Sequence, residues 1–318
     1  MIRPINPLYQ HSWGVEDTIM VSIAVIVYNH KKYLSAMMEG LLMQKTNFPI
    51  EVVIHDDAST DGTKEIIEEY AAKYPDIIFP MFQKENQYSK GIRGMMARFN
   101  FPRCKGRYIA LCEGDDYWTD PYKLQKQVDF LESNADYSLC FHDAVYSYTD
   151  TKKKKFSEKY PFLNEKKDFT RQDLLERQWF IPTASMLFRN FGKVPDFFFK
   201  INAGDYNLQL YLSKTGKFHY ISDTMSVYRI TGKGLGMANQ NPLVRINDLK
   251  IWINLVDGVD KKYILRWTLA NYRLLLKNDF KNSKYYHFQQ YFFILVKTFF
   301  LYEYYLIIHF INKCFKNT

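Results

Sequence analysis

Residues 50–63 read Ile50-Glu51-Val52-Val53-Ile54-His55-Asp56-Asp57-Ala58-Ser59-Thr60-Asp61-Gly62-Thr63. A short β-branched run from Ile50 to Ile54 gives way to a loop of acids and hydroxyls, and helical spacing starts at Thr63 and runs to about Lys73. Working outward, the pattern repeats. Val21 to Tyr28 reads as a buried strand ending at Asn29, and Lys31 to Gln44 carries Tyr33, Leu34, Met37, Met38, Leu41 and Leu42 at helical spacing. Ile77 to Phe82 is a third strand. Arg107 to Cys112 is a fourth, ending in Glu113-Gly114-Asp115-Asp116 before a helix from Pro121, a first-turn proline, to about Ser133. Strands that alternate with helices specify an α/β sheet flanked by helices.

The second half is less regular. Tyr137 to Tyr148 reads as a strand and Asp150 to Lys167, with Lys152 to Lys155 in a row, as a solvated surface loop. Helical patterns follow at Thr170 to Gln178 and from Asp205 to Lys214. Two strands, Phe218 to Ile221 and Met225 to Ile230, precede the glycine-rich turn Thr231-Gly232-Lys233-Gly234-Leu235-Gly236.

Composition narrows the classes. The 318 residues are 47% hydrophobic and 17% aromatic with 14 Gly and 11 Pro, which excludes a disordered or collagen-like chain. Cys104, Cys112, Cys140 and Cys314 form no paired motif, so reduced thiols are expected and a zinc site is not. No apolar leader precedes Met20, and the run from Met20 to Val27 is too short to cross a bilayer. The net charge of +9 is concentrated from Lys261 to Thr318, where ten basic residues face two acids. A nucleic-acid partner is not expected, because these charges lie in an apolar tail without a reading motif.

Acids gather where strands end, which is where open α/β sheets bind ligands. Asp56 and Asp57 follow the second strand, and Glu113, Asp115 and Asp116 the fourth. Carboxylates so placed repel one another unless a cation compensates, and a hard divalent ion, Mn²⁺ or Mg²⁺, suits oxygen ligands of this kind. Read alone, Asp56 to Ser59 also suits an Asx turn that caps the next helix, and Asp205 suits an N-cap. The ending Asp61-Gly62-Thr63 resembles that of a phosphatase motif, but Ser59 stands where the nucleophilic acid would be needed.

Together Val25-Ile26-Val27-Tyr28-Asn29, Asp56 to Thr63 and Gly114-Asp115-Asp116-Tyr117-Trp118 resemble the inverting glycosyltransferases of family 2, of the bacterial surface-polysaccharide type, over about Met20 to Gly236. The resemblance implies a GT-A fold, a Rossmann-like mixed sheet flanked by helices. Tyr28 and Asn29 would frame a nucleotide base, and Asp56 or Asp57 would accept hydrogen bonds from uracil and ribose. Glu113-Gly114-Asp115 would stand in for an Asp-x-Asp motif, with Glu113 beside the donor and Asp115 and Asp116 holding the metal. Asp205 would be the general base. Arg229 and Lys233, on a closing loop, would meet the donor diphosphate.

The expected organisation is a catalytic domain over residues 20–236, with a nucleotide-sugar half to about 118 and an acceptor half from about 119. A helical region, 237–284, and an aromatic, basic tail, 285–318, complete it. In that tail 13 of 34 residues are aromatic. Charges interrupt it too often for a spanning helix, so interfacial attachment to an anionic membrane is expected, at the inner face of the cytoplasmic membrane, with packing on the core as the alternative. The substrates implied are a nucleotide-sugar, UDP-linked, and a glycan or glycolipid acceptor. The competing class is a catalytically inactive sugar-nucleotide-binding or membrane scaffold protein.

Overall fold

The computed structural model describes residues 6–7, 18–148, 153–202, 204–231, 242–256, 258–281 and 294–306. Two compact units divide the chain. The first comprises Met1–Arg171, Trp179–Lys200 and Gly204–Gly232; the second Gln172–Gln178, Ile201–Ala203 and Lys233–Thr318.

The first unit is built on one mixed sheet. Its elements are β1 (Val21–Val27), α1 (Lys31–Leu42), β2 (Ile50–Asp56), α2 (Thr63–Lys73), β3 (Ile78–Phe82), α3 (Met95–Phe99), β4 (Tyr108–Glu113), β5 (Tyr117–Trp118), α4 (Lys123–Ser133), β6 (Tyr137–Ser147), β7 (Lys153–Lys155), β8 (Asp168–Phe169), β9 (Leu187–Arg189), α6 (Gly204–Leu212) and β10 (Lys217–Arg229), with α5 (Arg171–Arg177) contributed to the first unit by Arg171 alone. The strand order is β8-β10-β6-β9-β4-β1-β2-β3. Strands β3, β2, β1 and β4 run parallel, and β9 enters antiparallel between β4 and β6. Five of the seven residues of β1 are apolar and buried on both faces of the sheet, as a central parallel strand requires.

After β1 the chain builds outward through β2 and β3, and then returns to lay β4 on the other side of β1. The loops after β1 and β4 therefore diverge, leaving the crevice in which such sheets bind ligands. Helix α1 lies tight against the segment that follows β4. A Cβ on Gly40 would stand 2.8 Å from the Trp118 carbonyl oxygen and 2.9 Å from its nitrogen. Backbone cannot yield as a side-chain tip can, so Gly40→Ala is expected to cost about 1–3 kcal/mol. Thermal unfolding should show this as a fall in Tm of about 2–4 °C per kcal/mol.

Several expectations are corrected. Residues 150–167 are not wholly loop: β7 pairs with β6, a helical turn covers Phe156–Lys159, and Phe156 and Leu163 are buried. The two strands expected over 218–230 are one, β10, because register shifts beside Ile221 and Thr224 absorb the polar residues between them without ending the ladder with β6. Strand β2 extends through Asp56, and α4 starts at Lys123 rather than Pro121. The short elements α3 and β9 have too few residues to show a period.

The second unit contains α7 (Pro242–Trp252) and α8 (Lys261–Lys281), and residues 294–306 are helical. Ile246, Tyr272 and Leu275 form an apolar cluster that Ile294 and Leu295 cover. Val296, Phe299, Phe300, Leu301 and Tyr304 are exposed. Among the described residues no helix is long and apolar enough to cross a membrane. Cys104, Cys112 and Cys140 are buried free thiols, whereas Cys314, Lys233 and most of the tail lie outside the described residues.

Candidate active site

The loops after β1 and β2 are knitted together. Asn29 takes a left-handed backbone, φ 55°, which Asn tolerates better than most residues. Its N–H donates to Ser59 Oγ at 2.8 Å, and its Oδ1 accepts from the Thr60 N–H at 2.8 Å. The carboxylate of Asp61 accepts from the N–H groups of Lys31 and Thr63, so Asp61 supplies the cap-like bond to the first residue of α2. Tyr28, 45% exposed, stands open beside this frame.

Asp56 and Asp57 are both buried and already bonded within the protein. Asp56 accepts from the N–H and hydroxyl of Ser59, the Asx-type turn. Burial outweighs those bonds and raises its carboxyl above the ordinary value. Asp57 accepts the backbone N–H groups of Gln87 and Tyr88, at 2.8 and 3.1 Å, and so clamps the loop after β3.

The loop after β4 carries the acids. A Cβ on Gly114 would stand 2.7 Å from His30 Nδ1, so glycine lets this loop close against the end of β1. His30 Nε2 is 4.0 Å from Asp115 Oδ2. Asp116 Oδ1 accepts from the Arg229 N–H at 2.8 Å, while its buried Oδ2 has no hydrogen-bond partner among the described residues. The Arg229 guanidinium donates to the Asp115 carbonyl at 2.7 Å and lies over the Tyr117 ring, 4.3 Å from its centroid. Trp118 anchors the following residues by donating to the Ala184 carbonyl, with the wholly buried ammonium of Lys123 on its face at 3.9 Å.

Asp205, in the first turn of α6, reaches the same cluster from about ninety positions further along the chain. Burial first, then the charges of Asp115 and Asp205, push the Glu113 carboxyl up to about 8. Burial and the charges of Asp115 and Glu113 hold Asp116 well above its ordinary range, against the Arg229 N–H. The Tyr228 hydroxyl is raised by burial and by the charges of Glu113, Asp116, Asp205 and Asp115. Four carboxylates thus share one field.

Among the described residues no three His, Cys, Asp or Glu side chains are disposed as a ready-made metal site. The chemistry of the acids still fits a divalent cation. Mutual repulsion, the raised pKa values and the unpartnered Asp116 Oδ2 all mark a place where positive charge is missing.

The structure brings Glu113, Asp115, Asp116, Asp205 and Arg229 together, and gathers Tyr28, Asn29, Asp56 and Asp57 at the neighbouring strand ends. Sequence reasoning missed His30, Tyr228 as a neighbour of all four acids, and Trp179. The last holds a strained backbone, φ 50°, and packs on Tyr206 beside Asp205, with ring centroids 5.1 Å apart. For His30 and Tyr228 the signal was adjacency to Asn29 and Arg229; nothing in the sequence marked Trp179.

A pH dependence follows for the metal-free chain. The fold holds on Glu113 a proton that the unfolded chain releases near the ordinary 4.5, and it lets that proton go only near 8. The stabilisation is complete below the lower value and is lost as pH rises through the higher one. Unfolding temperatures in chelator should therefore fall less between pH 5 and pH 8 for Glu113→Gln than for the unaltered chain.

Residues 22–229 match the sequence profile of glycosyl transferase family 2. The chain belongs to that family. An uncharacterized protein of Mycobacterium tuberculosis is 37% identical over 217 residues, 68% of this chain. The match spans 60% of that protein's length. The UDP-Glc:alpha-D-GlcNAc-diphosphoundecaprenol beta-1,3-glucosyltransferase WfaP of Escherichia coli is 37% identical over 114 residues, 36% of this chain and 42% of that protein. The crystal structure of S. aureus TarS 1-349 in complex with UDP is similar with a TM-score of 0.58, at 16% identity over 82% of this chain and 74% of that one. The fold of this family 2 member is the expected GT-A fold, a mixed α/β sheet flanked by helices with further helices at the C-terminal end.

Proposed function

We propose that the protein is an inverting glycosyltransferase that moves a sugar from a UDP-sugar to a hydroxyl of a lipid-linked or surface glycan. The observation that carries this reading is the meeting of Glu113, Asp115, Asp116 and Asp205 at the strand ends, with the Asp116 Oδ2 buried and unpartnered.

A sugar hydroxyl is a weak nucleophile at neutral pH. Asp205 takes its proton as the oxygen attacks the anomeric carbon, the bond from that carbon to the diphosphate breaks, and the nucleoside diphosphate leaves with the bonding electrons. One displacement inverts the anomeric centre. Tyr28 and Asn29 frame the base, and Asp56 or Asp57 is assigned to uracil and ribose through carboxylate lone pairs left over from the bonds to Ser59, Gln87 and Tyr88. Asp115 and Asp116 would hold Mn²⁺ or Mg²⁺, and Glu113 lies at the donor beside them. The bound ion supplies charge stabilisation for the leaving diphosphate. Arg229 steadies the acid loop, and Lys233 is assigned to the diphosphate. Binding is worth most where the charge develops in the transition state.

The organisation proposed with it is a catalytic domain over residues 20–236, a helical region over 237–284 and a tail over 285–318 that lies on the inner face of the cytoplasmic membrane. The exposed Phe299, Phe300 and Tyr304 support that attachment, as does the basic charge beyond Lys261. The donor class is supported by the relatives' names, which include a UDP-glucose transferase and a UDP complex.

Calorimetric titration with UDP tests the reading without knowledge of sugar or acceptor. Binding is expected with Mn²⁺ and should weaken at least tenfold in chelator. A chain that binds no nucleoside diphosphate under either condition is instead the inactive scaffold.

A further inference from the structure

Strand β7 consists of three consecutive lysines, Lys153, Lys154 and Lys155, all exposed. It forms an edge on the C-terminal half of β6, with Lys155, Lys154 and Lys153 opposite Val145, Tyr146 and Ser147. On its other side β6 is in register with β10, where Tyr146 meets Tyr228 and Ser147 meets Arg229. Two rows therefore cross three strands, Lys154-Tyr146-Tyr228 and Lys153-Ser147-Arg229. With neighbouring strands about 4.8 Å apart, the edge backbone lies about 10 Å from that of Arg229.

The inner ends of these rows belong to the acid cluster. Arg229 bonds Asp116 and the Asp115 carbonyl, and Tyr228 feels all four carboxylates. Lys159 extends the basic side by donating to the Tyr146 hydroxyl at 3.2 Å. Among the described residues the ammonium groups of Lys153, Lys154 and Lys155 make no ion pair.

We infer that this edge strand is a phosphate-binding surface of the catalytic unit, which takes the diphosphate of a lipid-linked acceptor. The inference rests on the reading of Asp205 as the place where the acceptor hydroxyl reacts. An acceptor that carries a diphosphate must approach the acid loop and the donor diphosphate bound beside it, and the repulsion between the two diphosphates has to be offset nearby. Arg229 is already engaged by the acid loop. Lysines on an edge strand also keep it from pairing with another chain, a role that does not depend on where the edge lies relative to the acid cluster. Here Lys153 and Lys155 share a face, which gives two adjacent ammonium groups for two phosphate groups.

The test uses the full chain and its K153E/K154E/K155E variant, whose substitutions are exposed. Farnesyl diphosphate, a soluble prenyl diphosphate, is titrated without metal or donor; in parallel both proteins are sedimented with phosphatidylglycerol and phosphatidylcholine vesicles. The variant is expected to bind farnesyl diphosphate at least tenfold more weakly, with UDP affinity in Mn²⁺ unchanged, and a triple arginine variant is expected to keep wild-type affinity. A loss confined to phosphatidylglycerol vesicles would make the bilayer headgroups the source of the phosphate and overturn the acceptor assignment. Equal behaviour of the two proteins in both assays would overturn the surface itself. A wild-type chain that fails to bind UDP overturns the donor reading alone, since the farnesyl diphosphate titration does not involve the donor.

Discussion

Asp205→Asn is expected to lower transfer by about 10²–10⁴-fold while UDP binding in Mn²⁺ stays within twofold of the unaltered protein. The amide keeps the size of the side chain and an oxygen able to accept from the Tyr206 N–H, which Asp205 Oδ1 does at 2.8 Å. What it loses is the capacity to take a proton. The variant also removes one of the charges that raise Glu113, so ionisation of Glu113 should become easier and metal affinity should not suffer. Steady-state rates with a glycan acceptor, beside calorimetry with UDP, separate the two effects. Near-normal turnover in the variant would remove Asp205 as the base.

Asp115→Ala is expected to weaken Mn²⁺-dependent UDP binding at least tenfold and to leave the metal-free affinity little changed. The Asp115 side chain is 11% exposed and faces His30 at 4.0 Å, on a loop held by Arg229 through the Asp115 carbonyl rather than its carboxylate. Truncation therefore leaves the backbone attachment in place and removes charge alone. It also relieves Glu113 and Asp116, on both of which the Asp115 charge acts to raise the pKa. The thermal stability of the metal-free variant should accordingly equal or exceed that of the parent near pH 8, whereas the metal-loaded variant should gain less from the ion. Equal UDP affinity in chelator and in Mn²⁺ for the unaltered protein would place the ion elsewhere.

The four parallel strands and the helices α1, α2 and α4 were legible because their signals are local. Val, Ile and apolar periodicity act within a few residues, and the acids at the ends of β2 and β4 are consecutive in sequence. The short or edge elements escaped: β7 is three lysines with no apolar face, and its strand character comes from pairing with β6. The candidate site followed the same division. Asp56, Asp57, Glu113, Asp115 and Asp116 could be picked out as strand-end acids, and Asp205 only through a family resemblance, since by itself it suits a helix cap equally well.

The sequence by itself determined the alternation of strand and helix, the acidic strand ends and the basic aromatic tail, since each depends on neighbours along the chain. Only the tertiary structure decided which acids share one field. The placement of β4 on the far side of β1 sets Glu113 opposite Ile26 and Gly114 against Val27 and His30, and α6 brings Asp205 into the field of Glu113. The end of β10 sets the half-buried Tyr228 in the field of the carboxylates, and Asp57 is bound to the loop after β3. Pairings between residues thirty to more than a hundred positions apart leave no periodic trace in the chain. They arise when buried surfaces and hydrogen bonds are satisfied together, and it is there that the raised pKa values and the unpartnered carboxylate oxygen come into being.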